Sequence, residues 1–142
     1  MSDVYAALFD RTEDDLQEAV RGKFDVLVND VLVLDYILLS PRWRGVKLGL
    51  LAARKLIDMV GGGCGLVVSW VHPLNPDAAE FKRVPRGWIL RHASKDEERV
   101  ARRKLRRYFR GLGFRPVGRS RFDALSLSQA APTLSDLIQP GR

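Results

Sequence analysis

The sequence has a single cysteine, Cys64, among its 142 residues, so no disulfide can form within the chain. It also lacks long apolar runs, since those around 31–39 and 65–71 fall well short of the roughly 20 residues that a membrane span requires. The acidic N-terminus does not show the basic and then apolar layout of a signal peptide. These absences favour a reducing compartment, and we expect a cytoplasmic protein.

Acidic residues are missing from positions 99–121, which hold ten basic side chains. Positions 1–30 have the opposite imbalance, with eight acidic and three basic side chains, within a formal net charge of +7. A basic block of this kind is either a solvated helix face or an attractor of anions, such as phosphates, nucleic acid or an acidic partner. Charge alone does not choose among them.

Helix and strand patterns divide the first forty residues. Short helices are expected at 3–9 and at 12–21, the second with acids in its first turn and Gly22 as its terminator. Val, Leu and Ile then dominate positions 24–40. That composition favours strands, broken by a turn near Asn29.

The centre of the chain predicts a βαβ unit. The run at 31–40 is expected to be a strand buried on both faces, with Asp35 as its one ionisable residue. A helix at 46–60 and a second buried strand at 66–71 follow, and strands joined in this way are expected to be parallel. The residues predicted to form the apolar face of this helix are Leu48, Leu51, Ala52, Leu56, Met59 and Val60.

The second half of the chain predicts a loop, a helix and two strands. The loop at 72–93 contains three prolines. Ser94 is the expected N-cap of the helix, and Glu97 is placed to reach back to the backbone amide of Ser94. Strand-like segments follow at 114–118 and 122–128. The residues predicted for the apolar side of the helix are Val100, Leu105, Tyr108, Phe109 and Leu112.

The stretch LLSPRWRGVKLG at 38–49 joins the first strand of the βαβ unit to its helix. A glycine-containing turn that leads into a helix directs several backbone N–H groups outward, which with the helix dipole favours a phosphate group. Arg44 and Lys47 add positive charge, while Gly45 and Gly49 let the backbone approach a ligand. Neither the P-loop pattern nor the dinucleotide pattern G-x-G-x-x-G is present, so we predict a phosphate cradle of another kind.

This stretch resembles the acyl-coenzyme A motif of the GNAT superfamily of N-acetyltransferases, R/Q-x-x-G-x-G/A, which follows a strand that usually ends near a proline. Arg44 stands at the R/Q position and Gly49 at the final G/A position. Lys47 replaces the first glycine of the motif, although its ammonium group could itself bind phosphate.

A second resemblance lies in KLRRYFRGLGFRPVG, which is similar to the late helix and strand of the family, of the form A-x-x-x-Y-x-x-x-G-F. Gly113 and Phe114 match the G-F pair. Phe109 stands at the tyrosine position, and Tyr108 comes one residue early. Together the two matches cover about residues 30 to 127 in the expected order.

The resemblance implies one domain over 1–142 of the α/β (α+β) class, with a GNAT-like mixed sheet whose acyl-CoA-binding βαβ unit is flanked by helices. Its expected segments are 1–29 with shortened N-terminal helices and strand, 30–71 with the βαβ unit, 72–93 as a loop, 94–127 with the late helix and strands, and 128–142 as a tail with one short helix.

The resemblance also implies that acetyl-CoA lies in a V-shaped opening between the two parallel strands. Backbone groups near 38–40 would bind the pantetheine arm as an added strand does, and amides at 44–49 would hold the pyrophosphate. The implied cofactor-binding residues are Leu38, Leu39, Ser40, Arg44, Gly45, Val46, Lys47, Leu48 and Gly49. No Cys/His spacing indicates a metal site.

A primary amine would attack the thioester directly, with a general base to receive its proton and an acid to protonate the thiolate. Asp35 is the candidate base, provided that burial raises its pKa, and the alternative is that it bonds loop backbone. His72 and His92 are further candidate bases. Tyr108 is the candidate acid, with simple packing as the alternative.

The acceptor would lie beside Trp70, Trp88 and the loop, whose own basic residues disfavour a cationic acceptor. Only about thirty residues precede the first strand of the unit, fewer than is usual in the family, so we expect the sheet to be shortened or completed by another chain, such as a second copy. Two other functions stay open. One is a CoA-binding sensor with little catalysis, and the other is nucleic-acid binding through the basic block.

Overall fold

The computed structural model describes residues 2–9, 16–129 and 131–138. Within these residues the chain forms a mixed α+β fold. Its elements in chain order are α1 (Ser2–Leu8), α2 (Glu18–Phe24), β1 (Val31–Leu34), α3 (Leu48–Val60), β2 (Leu66–Trp70), α4 (Lys95–Arg110), β3 (Arg115–Pro116), β4 (Phe122–Ser126) and α5 (Leu134–Ile138). None of the described helices combines the length and the apolar character that crossing a membrane would need.

The four strands form one mixed sheet in the order β1-β2-β4-β3. β1 and β2 are parallel, with Val31 opposite Leu66 and Leu34 opposite Ser69, and α3 connects them. The predicted βαβ unit with parallel strands is therefore confirmed. β4 is antiparallel to both β2 and β3. The strand-like segments predicted at 114–118 and 122–128 are present with shorter bounds.

Two hydrophobic clusters lie on opposite faces of the sheet, because side chains alternate along each strand. Leu66 and Val68 of β2 belong to the first cluster, whereas Val67 belongs to the second. The N-terminal part of the chain covers the first face, with Leu8, Leu16, Val20 and Phe24. α3 and α5 cover the second face, with Leu50, Ala53, Ile57 and Leu137.

The run at 31–40 differs from the prediction of one strand buried on both faces. β1 ends at Leu34, and residues 35–40 lie outside the sheet without regular secondary structure. Among the described residues only β2 pairs with β1, so β1 is an edge strand, and Val33 is 46% exposed. Asp35 is exposed as well, so the expected burial of this residue is absent.

α2 continues past Gly22, the predicted terminator, and ends at Phe24. The next residue, Asp25, takes a left-handed conformation with φ 50°, and its N–H bonds the carbonyl of Arg21. Phe24 is 2% exposed inside the first cluster, and burial of its ring outweighs the poor helix propensity of glycine. The first strand begins only at Val31, and the part of this helix predicted at 12–15 lies outside the described residues.

The predicted apolar face of α3 is wrong. Leu50, Ala53 and Ile57 are the side chains that the helix buries against the sheet. Leu56 and Met59, which were expected to be buried, are 43% and 70% exposed. Apolar residues occupy most of the circumference of this helix, so periodicity alone did not identify the side that packs.

The N-terminus of α4 has the predicted cap. Ser94 Oγ accepts a hydrogen bond from the N–H of Glu97 at 3.2 Å. The Glu97 carboxylate accepts from the N–H of Ala93 at 2.8 Å rather than from that of Ser94. No residue of α4 is fully buried, although Leu112, just beyond its end, is 0% exposed. The loop at 72–93 contains one 3₁₀-helical turn, Ala79–Phe81, and the expected short helix of the tail is α5.

Candidate functional site

A cavity of about 650 Å³ opens where β1 and β2 separate. The strands pair as far as Leu34 and Ser69, and beyond them the chain at 35–39 leaves the sheet. The cavity is lined by that chain, by the end of β2 with residues 71–74, by the start of α3, by one side of α4 and by residues 88–90. Its volume is in the range of small-molecule sites, about 300–1,000 Å³.

The start of α3 faces this cavity with unused backbone donors. Lys47 is the N-cap residue, has a left-handed φ of 58° and makes no side-chain cap. Among the described residues, no acceptor bonds the N–H groups at 46–49. The orphan amides and the positive end of the helix dipole make this turn suited to an anion. Gly45, with φ 84°, needs the conformational freedom of glycine to form the turn.

Tyr108 of α4 contacts the start of α3. Its hydroxyl oxygen accepts a hydrogen bond from the N–H of Leu50 at 2.9 Å. Burial raises the pKa of Tyr108, and the bond from Leu50 lowers it by less, so the phenol keeps its proton at neutral pH. Phe109 instead packs edge to face on Phe114, with ring centroids 5.3 Å apart. Tyr108 and Phe109 are adjacent on α4 and therefore point in different directions. Phe109 points to the core and Tyr108 to the first turn of α3.

Arg44 does not present a free charge to the cavity. Its Nε and one Nη donate to the carbonyl of Leu39 at 3.1 and 2.9 Å, and the same Nη donates to the carbonyl of Trp88. The guanidinium thus links the chain leaving β1 to the long loop. The Leu39 carbonyl, expected to bind a pantetheine arm, already has these donors. Lys47 is exposed and has no partner among the described residues, so its charge is free to meet a ligand.

Asp35 and His92 both line the cavity. No described residue hydrogen-bonds the carboxylate of Asp35, which leaves its oxygens available to a ligand. His92 is half-buried, and it lies two residues beyond the lining segment 88–90.

His72 lines the cavity at the end of β2, but both its ring nitrogens are engaged. Nε2 lies 2.8 Å from a Glu98 carboxylate oxygen, and Nδ1 lies 2.8 Å from the carbonyl oxygen of Pro73. The ring stacks on Trp70, with centroids 5.1 Å apart. Since both nitrogens face acceptors, neither can take a proton from a substrate in this arrangement.

The loop at 72–93 lines the cavity and is ordered by contacts to the chain after β1 and within itself. Phe81 is buried and meets Tyr36 edge to face at 5.0 Å. Arg91 donates two hydrogen bonds to Asp77, at 2.7 and 2.6 Å. The cavity wall includes Trp70 and Trp88 as expected, and also Trp43, which the sequence reasoning did not select. The signal for Trp43 was its place inside the motif-bearing turn.

No family model, curated protein or solved structure matches this chain. Within the described ranges, no three His, Cys, Asp or Glu side chains are grouped so as to hold a metal ion. The choice of function therefore depends on the fold and on the geometry of the cavity.

Proposed function

We propose that the protein is a cytoplasmic, GNAT-like acyltransferase that moves an acetyl group from acetyl-CoA to a primary amine. The observation that carries this proposal is the backbone at residue 47. Lys47 stands where the acyl-CoA motif has its first glycine, and it holds a φ of 58°, a conformation that glycine adopts freely. A lysine in this conformation lowers the stability of the fold by about 1 kcal/mol relative to glycine. Such backbone strain is typical of functional turns.

The cavity offers a matching surface to each part of acetyl-CoA. The free amides at 46–49 and the ammonium of Lys47 would hold the pyrophosphate. Lys104 of α4, which lines the same cavity, adds a second cation. The chain at 35–39 would lie along the pantetheine arm, and the gap between β1 and β2 would receive the thioester.

In this reading the amine nitrogen attacks the thioester carbon, so that a C–N bond forms as the C–S bond breaks. Asp35, which lines the cavity and is unpartnered among the described residues, receives the proton of the amine. Tyr108 lies against the first turn of α3, where the pyrophosphate would bind. Its hydroxyl therefore holds the start of α3 in position and does not act as the general acid. The thiolate takes its proton from solvent.

A CoA-binding sensor of the same fold is the second candidate. It is favoured by the engagement of His72 on both nitrogens and of Tyr108 with Leu50. Of the four candidate acid–base groups, only Asp35 and His92 then line the cavity without a hydrogen-bonding partner among the described residues. Such a protein would bind acetyl-CoA through the same cavity without turnover.

Calorimetric titration with acetyl-CoA tests the proposal. Wild type should bind in the micromolar to millimolar range that is usual for enzyme substrates. Lys47→Glu, which keeps a side chain at the strained position and reverses its charge, should weaken binding roughly tenfold or more. Lys55→Glu is the matched control, because Lys55 lies on α3, is exposed and does not line the cavity.

Absence of binding to wild type at millimolar acetyl-CoA would exclude both the enzyme and the sensor. Equal weakening in the two charge-reversal variants would mean that the start of α3 is not the phosphate site. If acetyl-CoA binds, mass spectrometry of a mixture of amines incubated with protein and acetyl-CoA distinguishes the two functions. An acetylated amine identifies the enzyme, and none identifies the sensor.

A further inference from the structure

A second cavity, of about 290 Å³, lies on the other side of α4. It is bounded by α4, the turn between β3 and β4, and the end of β2. Six arginines line it, namely Arg99, Arg102, Arg103, Arg106, Arg119 and Arg121. We call this concave site the arginine pocket.

α4 separates the two cavities by its helical periodicity. Ala101, Leu105 and Tyr108, spaced four and three residues apart, face the first cavity. The arginines at 99, 102, 103 and 106 have the same spacing on another side of the helix and face the arginine pocket. Both cavities share residues 70–72 at the end of β2. They therefore meet beside the gap between the parallel strands.

Most of the positive charge in the arginine pocket is uncompensated. Arg99 pairs with Asp96 at 2.6 Å, and Arg106 Nε lies 3.3 Å from the buried carboxylate of Asp123. Among the described residues, no carboxylate pairs with the arginines at 102, 103, 119 and 121. Converging guanidinium groups repel one another, and a bound anion would relieve that repulsion.

The type of cation indicates the type of anion. The planar guanidinium fork donates two parallel hydrogen bonds to a phosphate group, which a lysine cannot do. Its described lining residues include arginine and no lysine. Four guanidinium groups without a carboxylate partner carry more positive charge than a single carboxylate ligand would neutralise. They suit the two negative charges of a phosphate monoester.

We propose that the arginine pocket binds the phosphate group of the acceptor, so that the acceptor is an amine that carries a phosphate monoester. Its role as acceptor rests on the proposed acetyl transfer, whereas phosphate binding by the pocket does not. With the phosphate between α4 and residues 119–121, the rest of the molecule would pass Trp70 and His72 towards the first cavity. Its amine would then approach the thioester from the side opposite the coenzyme.

The competing ligand for a basic helix is nucleic acid, but the shape of the site favours a small molecule. Arg107 and Arg110 also lie on α4 and are exposed, yet both lie outside the arginine pocket. A nucleic-acid backbone would follow the whole basic surface, including these two residues. A small phosphate in the pocket would not contact Arg107, which makes that residue a control on the same helix.

Calorimetry with 2-aminoethyl phosphate, in the presence of CoA to fill the first cavity, tests the proposal. The protein should bind this probe and not 2-aminoethanol. Arg102→Ala/Arg119→Ala should weaken binding roughly tenfold or more, because each lost charge-assisted hydrogen bond contributes substantially. Arg103→Ala/Arg121→Ala, a second pair from the same pocket, should do the same. Arg107→Ala should bind as wild type does, and all variants should bind acetyl-CoA as wild type does.

Failure of wild type to bind the probe, or equal binding by wild type and both double variants, would overturn the proposal. Binding of a single-stranded oligonucleotide that Arg107→Ala weakens as much as the double variants would overturn it in favour of nucleic acid. The two proposals fail separately. Loss of acetyl-CoA binding alone removes the acetyl transfer, whereas loss of probe binding alone removes the phosphate-bearing acceptor.

Discussion

Gly49 in the first turn of α3 has little room for a side chain. An ideal Cβ there would lie 2.8 Å from the Tyr108 hydroxyl oxygen and 3.2 Å from Leu39 Cδ1. In the wild-type background, Gly49→Ala must displace that hydroxyl and break its bond with the Leu50 N–H, at a cost of about 1 kcal/mol. In a Tyr108→Phe background the oxygen is absent, and the better helix propensity of alanine should contribute up to about 1 kcal/mol of stability.

Chemical denaturation of wild type, the two single variants and the double variant measures this coupling. We expect Gly49→Ala to be less favourable with Tyr108 than with phenylalanine at 108, by about 1 kcal/mol or more. Equal effects of Gly49→Ala in the two backgrounds would show that the hydroxyl does not occupy the space beside Gly49.

Asp123 is a second residue whose environment makes a measurable prediction. Burial raises the pKa of its carboxyl above the ordinary 3.8, and the nearby charges of Arg106, Arg110 and Lys23 only partly offset this. Between the two pKa values the unfolded chain holds fewer protons than the folded one, so stability falls as pH rises. Asp123→Asn does not titrate. Relative to this variant, wild type should lose stability as pH rises from the ordinary pKa of 3.8 towards neutral.

Urea denaturation at a series of pH values provides the measurement, and Asp77→Asn provides a control of opposite sign. The hydrogen bonds from Arg91 lower the pKa of Asp77 in the folded state. Its ion pair therefore stabilises the fold above the ordinary pKa and is lost as pH falls. Wild type should gain stability relative to Asp77→Asn as pH rises. If wild type also gained stability relative to Asp123→Asn as pH rises, the raised pKa of Asp123 would be contradicted.

At the scale of elements, local signals were predictable from the sequence. The N-cap of α4 depends on a serine and on a glutamate three residues later, so its position followed from the sequence alone. The partner of Glu97 was misjudged by one residue, because a flexible glutamate side chain can reach the amide of Ala93 as well as that of Ser94. Local chemistry thus located the helix start and left a small ambiguity in its details.

Elements whose environment depends on distant residues were not predictable in the same way. The apolar run at 31–40 forms β1 only as far as Leu34, and its remainder lines a cavity. An apolar cavity wall and a buried strand have the same composition, so sequence could not separate them. α3 posed the same problem, since the sheet packs on the stripe that includes Leu50 and Ile57 and leaves Met59 exposed.

The candidate site was predictable in part, for a related reason. The turn at 44–49 was found because its glycines and cations are adjacent in sequence. The arginine pocket was not, because it joins α4 to Arg119 and Arg121, which only folding brings together. The basic block at 99–121 was evident in the sequence. Recognising a concave site also required the helical spacing of its arginines and the position of β4 relative to α4.

At the scale of the whole molecule, the sheet is stabilised by packing on both of its faces. Among the described residues, the first face is covered by α1, α2 and the chain near Leu16, and by no helix of the length of α3 or α4. Leu8, at the end of α1, is 0% exposed and belongs to this cluster. The N-terminal segment is thus part of the core that positions β2, on whose end both cavities depend.

Leu8→Ala tests this role of the N-terminal segment. The substitution removes a fully buried side chain and leaves a cavity, so it should lower the free energy of unfolding by about 2–5 kcal/mol. Leu27→Ala is the matched control, because Leu27 is 81% exposed and its truncation should change stability by less than about 0.5 kcal/mol. Urea denaturation followed by fluorescence of Trp70, Trp43 and Trp88 would report whether the sheet and the cavities unfold together. A Leu8→Ala effect as small as that of Leu27→Ala would mean that α1 does not contribute to the core, and that α2 and the sheet are stable without it.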